Sequence, residues 1–204
     1  MNDPIARFQA LFEKAQAVEP HDATAMTLAT ADARGRPSAR VVLLKGVDAR
    51  GFVFFTNRES KKGHDLAENP FAALAIHWPA SQQQVRAEGR VERVSDAESD
   101  AYFATRARES QLGAWASQQS QPLASREALE ARVAELAARY PAHDGGDPHT
   151  PGPAGAVPRP PHWGGYRLVP DRIELWFAGP ARLHDRFEYR RGEDGGWVMT
   201  RLNP

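Results

Sequence analysis

Met26-Thr27-Leu28-Ala29-Thr30, then Asp32-Ala33-Arg34-Gly35, then Ser38 to Val47, then Asp48-Ala49-Arg50-Gly51, then Phe52-Val53-Phe54-Phe55-Thr56: this order decides the fold class. Short β-rich runs alternate with turn-forming clusters, with no helix-length segment between them. Strand, tight turn, strand, tight turn, strand reads as an antiparallel meander. Parallel βαβ units need a crossover of a dozen or more residues, so a Rossmann arrangement loses support. Neither G-x-G-x-x-G nor G-x-x-x-x-G-K-[ST] occurs in the chain.

Working outward, residues 4–17 predict an amphipathic helix, capped by Asp3 and opened by Pro4, with Ile5, Phe8, Phe12 and Ala15 at helical spacing. It lies within an N-terminal helical segment, 1–20. A second helix is expected from Ser60 to Glu68, stopped by Asn69-Pro70. Phe71–Trp78 and Gln83–Val94 read as strands. Ser95-Asp96-Ala97-Glu98 is a capping box that opens a helix to about Thr105. Helices are also expected at Ser110–Trp115 and Ser125–Tyr140. Residues 141–162 are rich in Pro, Gly, His and Asp and read as an exposed, mobile loop. Tyr166–Val169, Ile173–Phe177, Arg186–Tyr189 and Trp197–Arg201 return to β, the last hairpin turning at Gly195-Gly196. The expectation is one domain over 1–204, mainly β with peripheral helices, its eight or nine strands forming a small barrel. Strand order is not readable from this pattern.

Composition narrows the function. Lys+Arg and Asp+Glu are both 26, so the net charge is zero and a general nucleic-acid coat is not expected. Cys is absent, which removes disulfides, thiolate metal sites and a Cys nucleophile. No apolar run approaches the roughly 20 residues needed to span a bilayer. No secretory signal is visible, so the cytoplasm is the expected compartment. Only four of the basic residues are Lys, and three of them, Lys45, Lys61 and Lys62, fall in two segments of interest.

Four clusters could carry chemistry. Arg40-Val41-Val42-Leu43-Leu44-Lys45 sets two cations around an apolar strand centre: an anion site, or simply solvated strand ends. Strict alternation points the two to opposite faces, so one ligand needs a bulge or must wrap the strand end. Thr56-Asn57-Arg58-Glu59-Ser60-Lys61-Lys62-Gly63 joins a strand to a helix N-terminus and could cradle a phosphate, or be an ordinary cap with solvated Lys. Tyr102, Arg106 and Ser110, spaced by four and four, would share a helical face and could form a second phosphate site, or be plain helix surface. Trp176 to Arg186 packs an aromatic, Arg182, His184 and Arg186 into a strand–turn–strand region. On a strand, Arg182 and His184 would face one side. Gln84, Gln119 and Ser120 are neutral hydrogen-bonding groups that suit a heterocycle edge. His143, Asp144, Asp147 and His149 imitate a metal cluster, but their Gly- and Pro-rich setting argues against a rigid site, and no metal is expected.

Taken in order, these segments resemble the pyridoxamine 5′-phosphate oxidase family. The resemblance runs from about Ala25 to Pro204. Besides the clusters above it rests on Gln84-Val85-Arg86, Ser110-Gln111-Leu112-Gly113-Ala114-Trp115, Gln118-Gln119-Ser120, Pro158-Arg159-Pro160, Trp163-Gly164-Gly165-Tyr166, Glu174-Leu175-Trp176 and Arg201-Leu202-Asn203-Pro204. It implies an FMN-binding split β-barrel and a homodimer with non-covalent FMN at the subunit interface. By position, the run Arg40, Val41, Val42, Leu43, Leu44 and Lys45, together with Phe55, Thr56, Lys61, Lys62, Gln84, Gln119, Ser120, Trp176 and Arg186, would hold the flavin. Lys45, Tyr102, Arg106 and Ser110 would hold the substrate's phosphate. Arg182 and His184 would be the catalytic pair over its ring.

The implied activity is pyridoxal 5′-phosphate synthase: pyridoxamine or pyridoxine 5′-phosphate is oxidised, O2 is the electron acceptor and H2O2 a product. A same-fold flavin oxidase of phenazine biosynthesis, and a non-catalytic flavin- or pyridoxal-phosphate-binding protein, are the alternatives. The chain departs from the family pattern in three places. Phe177 stands where Gln is usual, Phe55 where Tyr is frequent, and no basic aromatic arm precedes Asp3.

Overall fold

The computed structural model describes residues 3–141 and 157–204. Among them are α1 (Pro4–Val18), β1 (Ala25–Ala31), β2 (Pro37–Leu43), β3 (Gly46–Asp48), β4 (Gly51–Asn57), α2 (Lys61–Glu68), β5 (Phe71–Trp78) and β6 (Gln83–Arg93). There follow α3 (Asp96–Ala104), α4 (Arg108–Ala116), α5 (Arg126–Arg139), β7 (Trp163–Phe177), β8 (Asp185–Arg191) and β9 (Trp197–Leu202). The expected class, mainly β with helices between the strands, is what is observed. The sheet runs β2-β1-β5-β6-β7-β4-β3, with β8 on β7 and β9 on β8. The pairs β1–β2, β1–β5, β3–β4, β5–β6, β7–β8 and β8–β9 are antiparallel.

Backbone contacts group the chain into two compact units. The first is Met1–Phe54, Asp65–Glu92 and Tyr166–Pro204; the second is Phe55–His64 and Arg93–Gly165. The first holds most of the sheet. Its core follows the period of two: Met26, Leu28 and Thr30 of β1 are buried, as are Ala72, Leu74, Ile76 and Trp78 of β5. The α1 stripe meets this core as expected, Phe8 packing edge-on against Phe52 with ring centroids 5.0 Å apart. Asp3 caps the helix by accepting the Ile5 N–H at 2.9 Å. The second unit has its own core, in which Phe103, Leu112, Val157 and Trp163 are buried.

The expected three-strand meander is instead two hairpins, β1–β2 and β3–β4, at opposite ends of the strand order, because the middle segment breaks. Two elements differ from their sequence reading. Ser38–Val47 is not one strand: β2 ends at Leu43 and β3 begins at Gly46, with the Lys45 N–H donating to Val53 O instead of continuing the β2 ladder. β2 closes one end of the sheet order and leaves Val41 and Leu43 65% and 39% exposed, so its apolar centre does not belong to the core. The two strands expected at 166–169 and 173–177 are one, β7, running straight through Pro170. Of the loop expected at 141–162, residues 142–156 lie outside the described residues, as does the His143/Asp144/Asp147/His149 group. At the loop's described end, Val157 is buried, Pro158 O accepts from Trp115 Nε1 and Arg159 pairs with Asp96 and Asp100.

Gly51 starts β4 with φ +144°, and a Cβ there would lie 2.0 Å from Leu168 O. Neither the conformation nor the space admits a side chain. Gly51→Ala should therefore cost about 2 kcal/mol or more, read as a lowered midpoint in urea unfolding. An unchanged midpoint would contradict the fit of β4 on β7.

Candidate functional site

In the second unit, β4 runs out at Phe55-Thr56-Asn57 and the chain turns into α2. Asn57 organises the turn: its Oδ1 accepts the Glu59 N–H at 2.7 Å, and its carbonyl accepts from Ser60 Oγ at 2.7 Å. The turn carries Lys62 inward. Its side chain is not solvated; the residue is 7% exposed, and Nζ donates to Thr56 Oγ1 (3.1 Å), Ser60 Oγ (3.2 Å) and Gln119 Oε1 (3.0 Å). Lys61, one residue earlier, is exposed. Thr56, Ser60 and Lys62 of the expected cradle are thus a bonded group, which Gln119, expected separately, joins; Ser120 beside it adopts a left-handed backbone, φ +74°.

Tyr102, Arg106 and Ser110 do not lie on one helix. α3 stops at Ala104 and α4 starts at Arg108, so Arg106 sits at the corner between them. The corner nonetheless brings two of the three to one cavity. Arg106 and Ser110 line a cavity of about 350 Å³ together with Phe55, Thr56, Gln119 and Trp163. Phe55 and Tyr102 stack with centroids 4.1 Å apart, and Trp163 stacks on Phe55 at 5.4 Å. Phe55 keeps the ring face that such a stack needs. Burial pulls the Arg106 pKa below the usual arginine value, and its Nη1 is buried without a hydrogen-bond partner among the described residues. A buried unpaired N–H costs free energy until an acceptor arrives.

In the first unit the two cations flanking Val41, Val42, Leu43 and Leu44 have different settings. Arg40 is half-buried and bonded internally: Nη1 donates to Leu28 O (3.1 Å) and Thr30 Oγ1 (2.8 Å), and Nη2 to Ser38 Oγ (2.8 Å). Thr30 Oγ1 in turn donates to the buried Asp65 at 2.7 Å. Burial lowers the Arg40 pKa while Asp65 opposes the shift. Lys45 is exposed and lines a separate cavity of about 570 Å³ with Gln9, Phe12, Thr24 and Leu44. The break after β2, not a bulge, is what redirects it.

The Trp176–Arg186 segment, also in the first unit, is a turn rather than a strand at its centre. Pro180–Arg182 forms a single 3₁₀ turn, with Ala181 and Arg182 at φ +53° and +64°. Two adjacent non-glycine residues in the left-handed region store strain. The turn closes because Gly179 has no side chain: a Cβ there would lie 2.0 Å from Leu183 O. The Gly179 N–H donates to His184 Nδ1 at 3.2 Å, and the His184 ring lies 4.6 Å from Trp176. Arg186 donates from Nε to Glu174 Oε1 at 2.8 Å and from Nη1 to Asn203 O at 3.0 Å. The bond to Glu174 holds the Arg186 pKa above the usual value. Phe177, in place of a polar residue, packs against the core and meets Phe187 edge-on at 6.1 Å. Gln84 is half-buried on β6 opposite His77, and its neighbour Gln83 has a buried side-chain oxygen without a partner among the described residues.

Sequence reasoning missed two residues. Glu174 anchors Arg186, and Trp163 floors the cavity; both stood in resembling segments without a role. A buried acid two residues before Trp176 and an aromatic heading a Gly-Gly pair were the available signals.

The strain at the turn is measurable. Ala181→Gly should stabilise the protein by roughly 0.5–1 kcal/mol in urea unfolding, because glycine adopts the left-handed region without penalty. A loss of stability would mean the turn is unstrained.

Comparison with known proteins fits this geometry. Residues 11–140 match the family model described as pyridoxamine 5′-phosphate oxidase. Residues 163–204 match the model described as pyridoxine 5′-phosphate oxidase C-terminal dimerisation region. The chain is 59% identical to a pyridoxine/pyridoxamine 5′-phosphate oxidase of Myxococcus xanthus (strain DK1622), over 99% of this chain and 92% of that protein. It is 57% identical to the protein of the same name from Anaeromyxobacter dehalogenans (strain 2CP-C), over 99% and 96%. Among solved structures, PhzG from Burkholderia lata 383 in complex with tetrahydrophenazine-1-carboxylic acid superposes with a TM-score of 0.88 at 33% identity, covering 100% of this chain and 94% of that one. With a family model over most of its length and relatives this similar across nearly all of it, the chain belongs to the pyridoxamine 5′-phosphate oxidase family.

Proposed function

We propose that this protein oxidises pyridoxamine 5′-phosphate or pyridoxine 5′-phosphate to pyridoxal 5′-phosphate with O2, using non-covalent FMN. The observation that carries the reading is Arg106, a half-buried arginine that lines a cavity able to take a small phosphate ester and whose buried Nη1 has no hydrogen-bond partner among the described residues. The donor set also suits a second phosphate. Lys62 is fixed beside the α2 N-terminus, its Nζ among the Thr56, Ser60 and Gln119 oxygens, where its charge favours an anion. By the family resemblance, Arg40 to Lys45, Phe55, Thr56, Lys61, Lys62, Gln84, Gln119, Ser120, Trp176 and Arg186 would be the residues that hold FMN. When bound, FMN supplies a two-electron acceptor that O2 regenerates.

The chain's own residues do the rest. Tyr102, Arg106 and Ser110 grip the substrate's phosphate and so fix the distance of its reacting carbon, while Lys45, which the resemblance adds to this set, lines a different cavity. Arg182 and His184 orient the ring. Because His184 Nδ1 accepts the Gly179 N–H, the neutral ring carries its proton on Nε2 and offers a hydrogen bond there. His184 therefore works as a donor to the substrate, and is not poised to take a proton at Nε2. In the overall reaction the C4′ carbon loses a hydride equivalent and its hydroxyl or amine loses a proton, while O2 becomes H2O2. With the amine, water then replaces nitrogen and ammonia leaves.

A homodimer with FMN at the subunit interface belongs to the same proposal. Its supports are the matched dimerisation region and the exposed Val41 and Leu43 on an end strand, an edge that soluble proteins normally cover. The likeness to PhzG favours one second reading, an oxidase of phenazine biosynthesis. The retained Tyr102, Arg106 and Ser110 speak for the phosphorylated B6 substrate.

The purified protein should be yellow, release FMN on denaturation, and consume O2 with pyridoxine 5′-phosphate. Bound FMN without oxygen uptake would turn the assignment toward the second reading. Arg182→Ala should lower kcat about a hundredfold at unchanged FMN content. Unaltered turnover would remove Arg182 from the catalytic role.

A further inference from the structure

Among the described residues, no acid pairs with Arg106. Its Cζ lies 4.9 Å from the centroid of the Trp163 ring and 5.5 Å from that of Phe103, while Nη1 stays buried and unpaired among the described residues. An arginine fixed by a carboxylate would be neutralised, and part of its fork would be occupied. Held over π faces, it keeps its charge and its edge N–H groups.

Trp163 can serve as such a platform because it is itself immobile. It is 6% exposed, its ring stacks on Phe55 at 9° and meets Phe103 at 68°. Its carbonyl accepts from Arg159 Nη1 at 2.7 Å, and Arg159 is clamped by Asp96 and Asp100 at 2.9 and 2.6 Å.

We propose that Trp163 is a positioning residue acting through Arg106: its indole face sets the guanidinium for the substrate's phosphate and so creates the preference for phosphorylated over unphosphorylated B6 compounds. This rests on the oxidase reading above. The cation–π contact substitutes for an acid that would compete with the phosphate dianion for the same donors.

The test uses the FMN-loaded enzyme, with oxygen uptake on pyridoxine 5′-phosphate and on pyridoxine, and calorimetric binding of pyridoxal 5′-phosphate. Trp163→Leu should raise KM and Kd for the phosphorylated compounds about tenfold, Trp163→Phe by about threefold, with kcat falling much less. The ratio of activities on the two substrates should shrink in the same order. In an Arg106→Ala background neither change should weaken phosphate-ester binding further.

Equal losses in both backgrounds, or an unchanged substrate ratio, would overturn the role of Trp163. If Trp163→Leu fails to fold, Trp163→Phe with and without Arg106→Ala decides the question alone. A wild-type protein that neither turns over pyridoxine 5′-phosphate nor binds pyridoxal 5′-phosphate would instead sink the underlying oxidase reading, and the proposal with it.

Discussion

A cation withdrawn from water needs oxygen around it, and the polar architecture of this chain follows from how four such cations meet that demand. Lys62 has among its partners the oxygens of Thr56, Ser60 and Gln119. Arg40 has a carbonyl and two hydroxyls, backed by Asp65. Arg186 has the buried Glu174 and the Asn203 carbonyl. Arg106 has aromatic faces and an N–H left over. The degree of internal satisfaction grades them. Arg186 and Arg40 are held by hydrogen bonds, whereas Arg106 keeps an N–H without a partner among the described residues.

Backbone features set up this arrangement. The Asn57 turn brings Lys62 in toward Thr56, and the corner after Ala104 swings Arg106 over Trp163. The strained Ala181–Arg182 turn, closed through Gly179, both presents Arg182 and fixes which nitrogen of His184 is an acceptor. Strain at such a place is tolerated because the flanking strands β7 and β8 are paired from Arg172–Arg190 to Phe177–Asp185 and hold both ends of the turn.

Departures from the family pattern are absorbed by packing. Phe177 joins the hydrophobic core, and Phe55 enters a three-ring stack with Tyr102 and Trp163. Each loses a polar group and gains apolar contact.

By itself the sequence determined the element types, the antiparallel β1–β2 hairpin, the α1 stripe, the Ser95–Glu98 capping box and the ordered motifs that mark the family. Those signals are local: they depend on periods of 2 and 3.6 and on turn chemistry within a few residues. Only the tertiary structure decided the rest. It broke Ser38–Val47 at Lys45, carried β7 through Pro170, buried Lys62 while exposing Lys61, and gave Trp163 and Glu174 their roles. Strand order, burial of an individual cation and the partner of a guanidinium all depend on residues tens to more than a hundred positions away, as Lys62 and Gln119 do. Periodicity and spacing hold no information about which distant oxygen or ring will arrive.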